Sequence, residues 1–192
     1  MAEYRLRPAA VEDARAIAEI NATAWRETYA GLMPAQVLAG IDLDDWTRRW
    51  RERIRSGEGG QAVLVALESG VPVGFGRCNR QTNPKLVPLG FDGEIASIYL
   101  LRHAQRRGLG RRLMARLAGH LMSCGCASAA VWVLRDATKA RGFYEALGAT
   151  PLGVEGVWEV EGAVLADLAY GWRDIRTLAY GAGVRGPDQA AV

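Results

Sequence analysis

The sequence predicts a single α/β domain in which β-rich runs alternate with amphipathic helical patterns. Its 192 residues suffice for one domain with a substantial core, and two domains would usually need more. Hydrophobic residues make up 49% of the chain and charged residues 23%, the balance typical of soluble globular proteins. We therefore expect one domain over residues 1–180. Glycines, a proline and the lack of any pattern predict a flexible tail over 181–192.

The first part of the chain predicts one strand and two helices. The segment YRLRPA forms a short strand that ends at Pro8, and residues 10–25 place apolar side chains at helical spacing. A turn is expected over 26–34, which contains a glycine and a proline. A second helix is expected over 42–55, where two tryptophans lie one turn apart.

The middle of the chain predicts antiparallel strands. Strands near 61–68 and 71–80 are separated by the turn signal ESG, which indicates a hairpin. Residues 81–93 hold two prolines and two glycines and favour a loop or a bulged edge. The segment EIASIYLL, residues 94–101, follows as a central strand.

The last part of the chain alternates between helices and strands. A helix after Gly110 carries leucines at intervals of four and stops near Gly125. The remaining predicted elements are a buried strand over 127–134, a helix over 136–149 closed by Gly148, and a final pair of strands over 152–160 and 163–172.

The positive charge is concentrated in one stretch, although the net charge is only +3. The arginines of this stretch are Arg102, Arg106, Arg107, Arg111, Arg112 and Arg116. Such a cluster is consistent with a solvated helix face, or with a module that binds RNA or an acidic protein. RNA-binding surfaces interleave exposed aromatic residues with charge, whereas this stretch holds glycines. We therefore expect no nucleic acid partner.

Nothing in the sequence indicates export, a membrane or a metal. The N-terminus carries acidic residues early and lacks an apolar signal core, and no apolar run is long enough to cross a bilayer. The three cysteines show no CxxC spacing, which favours buried reduced thiols over a disulfide framework or a zinc site. A cytoplasmic location is expected.

The segment QRRGLGRRL, residues 105–113, places two glycines and four arginines at the start of a predicted helix. The first turn of a helix has unpaired N–H groups and a partial positive charge, so it favours anions. Gly108 and Gly110 would let an anion approach the backbone closely. The spacing differs from the GxxxxGK[ST] and GxGxxG patterns of other nucleotide sites. The stretch predicts a phosphate-bearing ligand.

Three segments resemble the GNAT superfamily of N-acetyltransferases. QRRGLG matches its Q/R-x-x-G-x-G/A signature, VLRDATKARGFYEALGA is similar to its second conserved segment, and AWRETYAGLMP resembles a pattern common in bacterial members. The resemblance covers about residues 3–175. It implies the α+β GNAT fold, a central mixed, mostly antiparallel sheet of six to seven strands flanked by four to five helices. It also implies acetyl-CoA as co-substrate, with no metal.

The resemblance assigns the co-substrate site. The pyrophosphate would lie on the backbone of the loop, and the pantetheine arm would pair with the backbone of the preceding strand. The loop residues are Gln105, Arg106, Arg107, Gly108, Leu109, Gly110 and Arg111, and the strand residues are Ile98, Tyr99 and Leu100. The frequent family asparagine falls on Ala137 here, so that contact is absent or is replaced by Asp136 or Thr138.

The resemblance also suggests catalytic and acceptor residues. Glu94 resembles the general base of some members, and its alternative is a strand-end surface carboxylate. Tyr144 matches the family's general acid, and its alternative is core packing. Trp25 and Tyr29 fall where the family builds one wall of its acceptor pocket, and core packing is an equal possibility for Trp25. The oxyanion donor would be a strand N–H near Ile98.

The implied activity is transfer of an acetyl group to a primary amine of a small molecule or peptide. A catalytically silent acetyl-CoA sensor is the alternative, which the retained Tyr144 disfavours. Exposed strands near the C-terminus make a homodimer conceivable.

Overall fold

The structure is a computed structural model that describes residues 3–160 and 163–181. Apart from residue 181, the predicted tail lies outside the described residues. The strands are β1 Tyr4–Pro8, β2 Ala62–Glu68, β3 Val71–Arg80, β4 Gly93–Leu100, β5 Ala129–Leu134, β6 Thr150–Val160 and β7 Ala163–Trp172. The helices are α1 Ala14–Tyr29, α2 Ala35–Ala39, α3 Leu43–Ser56, α4 Leu109–Ser123, α5 Thr138–Glu145 and α6 Arg176–Tyr180.

The strands form one seven-stranded sheet in the order β1-β2-β3-β4-β5-β7-β6. Neighbouring strands are antiparallel except for β4 and β5, which are parallel. This arrangement confirms the predicted mixed, mostly antiparallel sheet. The hairpin of β2 and β3 and the final pair of β6 and β7 are also confirmed.

Helices cover both faces of the sheet. On one face α1 and α3 pack on β2 and β3 through an apolar cluster that includes Ile17, Trp50 and Phe75. On the other face α4 contributes Leu113 and Leu117 to the largest cluster, and both side chains are completely buried. The leucines that recur every four positions along α4 therefore form its buried face, as the periodicity predicts.

Two short helices and one helix end differ from the sequence prediction. The predicted turn over 26–34 is wrong in its first part, because α1 continues to Tyr29. The helices α2 and α6, each of five residues, were not predicted. Such short helices have too few turns for a periodic signal and are stabilised by tertiary packing. In α2 that packing comes from Val37 and Leu38, which contact the aromatic residues of α1.

Asp13, at the start of α1, should contribute to stability in a pH-dependent way. Its carboxylate accepts hydrogen bonds from Arg7 at 2.6 and 2.9 Å and from the Ala10 N–H at 2.7 Å. The Arg7 hydrogen bonds lower the pKa of Asp13, below the unfolded value of about 3.9. This stabilisation is therefore complete above about pH 4 and is lost as pH falls through the lower folded pKa.

Asp13→Asn should lower the free energy of unfolding at pH 7 by about 1–2 kcal/mol, since Arg7 is 43% exposed. Urea denaturation at pH 7 and pH 3 measures this effect, and the difference from the parent should shrink at pH 3. Asp44→Asn is the control, because Asp44 is 91% exposed in its pair with Arg15. An equal loss in both variants would contradict the prediction.

Candidate active site

The loop before α4 presents a row of backbone donors. Gly108 caps the helix with φ 78°, and no side chain caps this end. Within the described residues, no hydrogen bond uses the N–H groups of residues 106–111. Arg106 has φ 60°, a strained conformation for a residue with a side chain. These N–H groups at a helix N-terminus could hold a diphosphate, as the sequence predicts.

Glycine is needed at positions 108 and 110 for two different structural reasons. A Cβ at Gly108 would meet nothing within 4 Å, so the positive φ favours glycine there. A Cβ at Gly110 would lie 3.1 Å from the Phe143 ring. Glycine at 110 therefore allows the N-terminus of α4 to pack against α5. This packing explains the glycine, and the sequence alone did not predict it.

A gap opens in the sheet between β4 and β5. These strands pair only at Gly93 with Ala129 and at Glu94 with Ala130, although β4 continues to Leu100. The partners of β3 step from Ser97 to Ile95, so Ala96 forms a bulge in β4. From the bulge onward one edge of β4 is not paired with β5. This edge includes Ile98, Tyr99 and Leu100, the residues expected to pair with an extended ligand.

Gln105 has a structural contact in addition to its place in the loop. Its side-chain amide donates to the Leu100 carbonyl at 2.9 Å. The amide therefore links the end of β4 to the loop before α4. The contact orients the loop relative to the free strand edge, and any ligand that spans both would depend on it.

Three tyrosines come together beside the gap. The Tyr29 and Tyr99 hydroxyls are 3.1 Å apart. Tyr144 is 7% exposed, and its pKa is raised by burial and then by the nearby Tyr99. Tyr144 therefore keeps its proton at neutral pH, as a general acid must. Its hydroxyl has no hydrogen-bond partner in the described part of the chain, which leaves it free for a ligand.

Tyr99 contributes its side chain as well as its backbone. The family resemblance implies a role only for the Tyr99 backbone. In the structure its side chain is half-buried, desolvation raises the pKa of its phenol, and its hydroxyl hydrogen-bonds that of Tyr29 in α1. The contact spans 70 positions in the chain, so no local pattern indicates it.

Glu94 lies in a polar environment at the closed end of the gap. The Asn79 amide donates to its carboxylate at 2.8 Å. Asn79 Oδ1 and Ser97 Oγ, on the same face, are buried without a hydrogen-bond partner among the described residues. Buried polar atoms of this kind are usually satisfied by ordered water. Glu94 lies five positions, or about 16 Å along the strand, from Tyr99.

The expected pocket wall is an aromatic cluster. Trp25 packs edge-on against Tyr29 at 5.7 Å, Trp46 at 4.9 Å and Trp158 at 5.0 Å between ring centroids. The structure places Trp25 and Tyr29 in one aromatic cluster and adds Trp46 and Trp158, which the sequence did not indicate as part of this wall. Trp158 comes from β6, whose approach to α1 depends on the sheet order.

The second family segment lacks a polar side chain at its key position. Ala137 is 8% exposed and caps α5 without a side-chain hydrogen bond. Asp136 and Thr138 are both exposed. The structure therefore places no polar replacement for the family asparagine inside the protein.

The described residues, 3–160 and 163–181, contain free thiols but neither a metal-binding cluster nor a membrane-spanning helix. No group of three His, Cys, Asp or Glu side chains in these ranges is arranged to bind a metal ion. No helix in these ranges combines the length and apolar character of a membrane span. Cys78, Cys124 and Cys126 are free thiols; Cys78 and Cys126 are buried, as expected, whereas Cys124 is half-buried.

Comparisons with known proteins identify the family of the chain. The sequence profile of the Acetyltransferase (GNAT) family matches residues 16–149. The uncharacterized N-acetyltransferase YuaI of Bacillus subtilis is 32% identical over 174 residues, which cover 90% of this chain and 95% of YuaI.

Solved structures share the fold. The PaiA N-acetyltransferase of Thermoplasma acidophilum, in complex with coenzyme A, is 16% identical with a TM-score of 0.68 and covers 86% of this chain and 98% of its own. YncA of Salmonella typhimurium, a putative acetyltransferase with acetyl-CoA, is 20% identical with a TM-score of 0.63 and covers 98% of this chain and 99% of its own. The family match, the curated relative and the shared fold together place the chain among acyltransferases, and it belongs to the GNAT family of acetyltransferases.

Proposed function

We propose that the protein moves the acetyl group of acetyl-CoA to a primary amine of a small molecule or peptide by direct attack. One arrangement carries the proposal: β4 separates from β5 after Glu94, Tyr144 lies close enough to Tyr99 on the free edge to feel its charge, and the unpaired N–H groups of residues 106–111 follow the end of β4. A carboxylate, a phenol and an anion site on one open edge suit this reaction.

The chain offers matching partners along the length of acetyl-CoA. The N–H groups of residues 106–111 suit the diphosphate, with charge from Arg106 and Arg111. The unpaired edge of β4 suits the amides of the pantetheine arm, which need hydrogen bonds once removed from water. Two structural neighbours solved with coenzyme A or acetyl-CoA support this assignment.

Acetyl-CoA would supply an acetyl group activated as a thioester. The amine would add to the carbonyl carbon, and the CoA thiolate would leave as the C–S bond breaks. Tyr144 would give its hydroxyl proton to that thiolate, because it stays protonated at neutral pH. A backbone N–H near Ile98 would stabilise the carbonyl oxygen as negative charge develops there. The aromatic wall of Trp25 and Tyr29 would exclude water and hold the apolar part of the acceptor.

Glu94 would accept the proton that the amine loses. Its distance from Tyr99 along β4 requires the proton to pass through water, and the unpartnered oxygens of Asn79 and Ser97 offer stations for that water. The hydrogen bond from Asn79 holds the carboxylate in place.

The proposal is tested by incubating the protein with acetyl-CoA and a panel of primary amines and measuring the release of free CoA. The protein should release CoA with at least one amine, and calorimetry should show CoA binding that weakens only modestly with salt, because fixed backbone donors carry much of it. CoA binding without turnover of any amine would favour the sensor. A steep salt dependence together with RNA binding would favour the nucleic-acid module.

Glu94→Gln should lower turnover by roughly 10²-fold at pH values where the acceptor amine in solution is mostly protonated. The deficit should shrink as pH approaches the pKa of the amine, since less proton removal is then needed. Steady-state pH–rate profiles with one acceptor measure this, and Glu58→Gln is a control at an exposed acid. Parallel profiles for the parent and Glu94→Gln would remove Glu94 as the base.

A further inference from the structure

Asp167 lies between two apolar clusters on the acceptor side of the sheet. On β7 it stands between Leu165 and Ala169 and pairs with Gly156 of β6. Ala169 belongs to a cluster with Leu86 and Phe91, which lie in the loop after β3. Leu165 packs against the cluster formed by Met33, Val37 and Leu38. A carboxylate therefore interrupts an otherwise apolar sheet face, at the point between the two apolar clusters that pack on it.

The structure makes specific room for this carboxylate. A Cβ on Gly156 would collide with Asp167 Oδ1 and would lie 3.0 Å from the Trp132 ring. Glycine at 156 thus lets the carboxylate lie over β6 beside an indole. Asp167 Oδ1 and Trp132 Nε1 are both buried, and neither has a hydrogen-bond partner among the residues described.

No cation of the described chain pairs with Asp167. The Lys85 ammonium donates to the Glu155 carbonyl at 2.7 Å and forms no ion pair with Asp167. Burial raises the pKa of the half-buried Asp167 and outweighs the opposing effects of the Asp167 and Gly156 N–H groups and of Lys85. A partly buried carboxylate that has no paired cation and one unpartnered oxygen indicates an external cation.

We propose that Asp167 binds a second cationic group of the acceptor, beside the Trp132 ring. The preferred acceptor is then an amine that carries a remote ammonium or guanidinium group. This inference rests on the proposed function, because it concerns the acceptor of the same reaction. Asp167 is a specificity residue, and it takes no part in the bond changes at the acetyl group.

The sheet order sets the separation of the two groups. β7 is the second strand from β4, and neighbouring strands lie about 4.8 Å apart. Because the gap widens the β4–β5 step, the cation at Asp167 lies roughly 10 Å or more from the free edge of β4. Linear diamines of six to eight carbons have a matching length.

Diamines and monoamines of equal length separate the effects of charge and apolar contact. The probes are hexane-1,6-diamine and octane-1,8-diamine, compared with hexylamine and octylamine. An apolar and aromatic pocket without an anion would favour the methyl end of a monoamine, since burying an unpaired ammonium is costly. A pocket with Asp167 should favour the diamine.

Two measurements are made on the parent, Asp167→Asn and the control Glu155→Gln. Amine binding to the CoA-saturated protein is followed by tryptophan fluorescence, and turnover is followed by CoA release. Glu155 is a suitable control because it points to the other face of β6 and pairs with Arg135. Asp167→Asn should weaken diamine binding by roughly 30-fold and leave monoamine binding unchanged or tighter. Its Tm should equal or exceed that of the parent, since the costly charge is gone.

The outcomes separate this inference from the proposed function. Diamine binding that is lost in Asp167→Asn supports the inference, even where CoA release with these amines is absent. Turnover of amines without any preference for diamines overturns the inference and leaves the proposed function intact. Equal diamine affinity in the parent and Asp167→Asn also overturns it, as does a parent that binds neither diamine.

Discussion

Tyr144→Phe is expected to lower kcat by roughly 10- to 10³-fold, with little change in CoA affinity. The substitution removes the phenol oxygen that would protonate the departing thiolate. It keeps the ring, which packs against Phe143 at 5.4 Å and Trp172 at 6.1 Å between centroids. Because the hydroxyl makes no hydrogen bond within the described residues, Tm should also change little. Stopped-flow CoA release measures the effect.

Tyr170→Phe is the matched control for that experiment. The Tyr170 hydroxyl accepts from Arg141 at 3.0 Å and donates to Glu145 at 2.9 Å. Loss of these two bonds should lower Tm while kcat stays near that of the parent. The two variants should therefore show opposite patterns. Equal kcat for Tyr144→Phe and the parent would remove Tyr144 from the mechanism, and a large loss of Tm in that variant would make its hydroxyl a structural donor.

Gly110→Glu is expected to weaken CoA binding by more than about 100-fold, the largest binding effect anticipated here. A side chain at 110 points at the Phe143 ring, where even a Cβ would lie 3.1 Å away. The substitution thus forces α5 from the start of α4 and adds a negative charge beside the N–H groups of residues 106–111. Calorimetric titration with CoA measures the loss.

Gly119→Glu controls for adding the same side chain to the same helix. Gly119 lies in α4, and a Cβ there would meet nothing within 4 Å. This variant should bind CoA like the parent, because its charge lies more than two turns from the loop. CoA binding by Gly110→Glu at parental affinity would show that the loop does not hold the diphosphate.

Much of the fold could be predicted because its signals are local. The buried face of α4 follows from leucines four positions apart, and the β2–β3 hairpin follows from β-rich runs on either side of a glycine turn. The loop at 105–111 was predicted with its helix start because glycine spacing and charge are adjacent in the chain. The missed helices, α2 and α6, are short and depend on contacts with distant residues.

The sequence by itself determined most of the elements, the glycine loop before α4 and the family, since each depends on residues close together in the chain. Only the tertiary structure decided which side chains of different elements meet. The Tyr29–Tyr99 contact, the packing of Trp158 on Trp25 and the position of Asp167 beside Trp132 all join separate elements. Such contacts depend on strand order and on how far β4 departs from β5, and no periodicity within one segment records either of them.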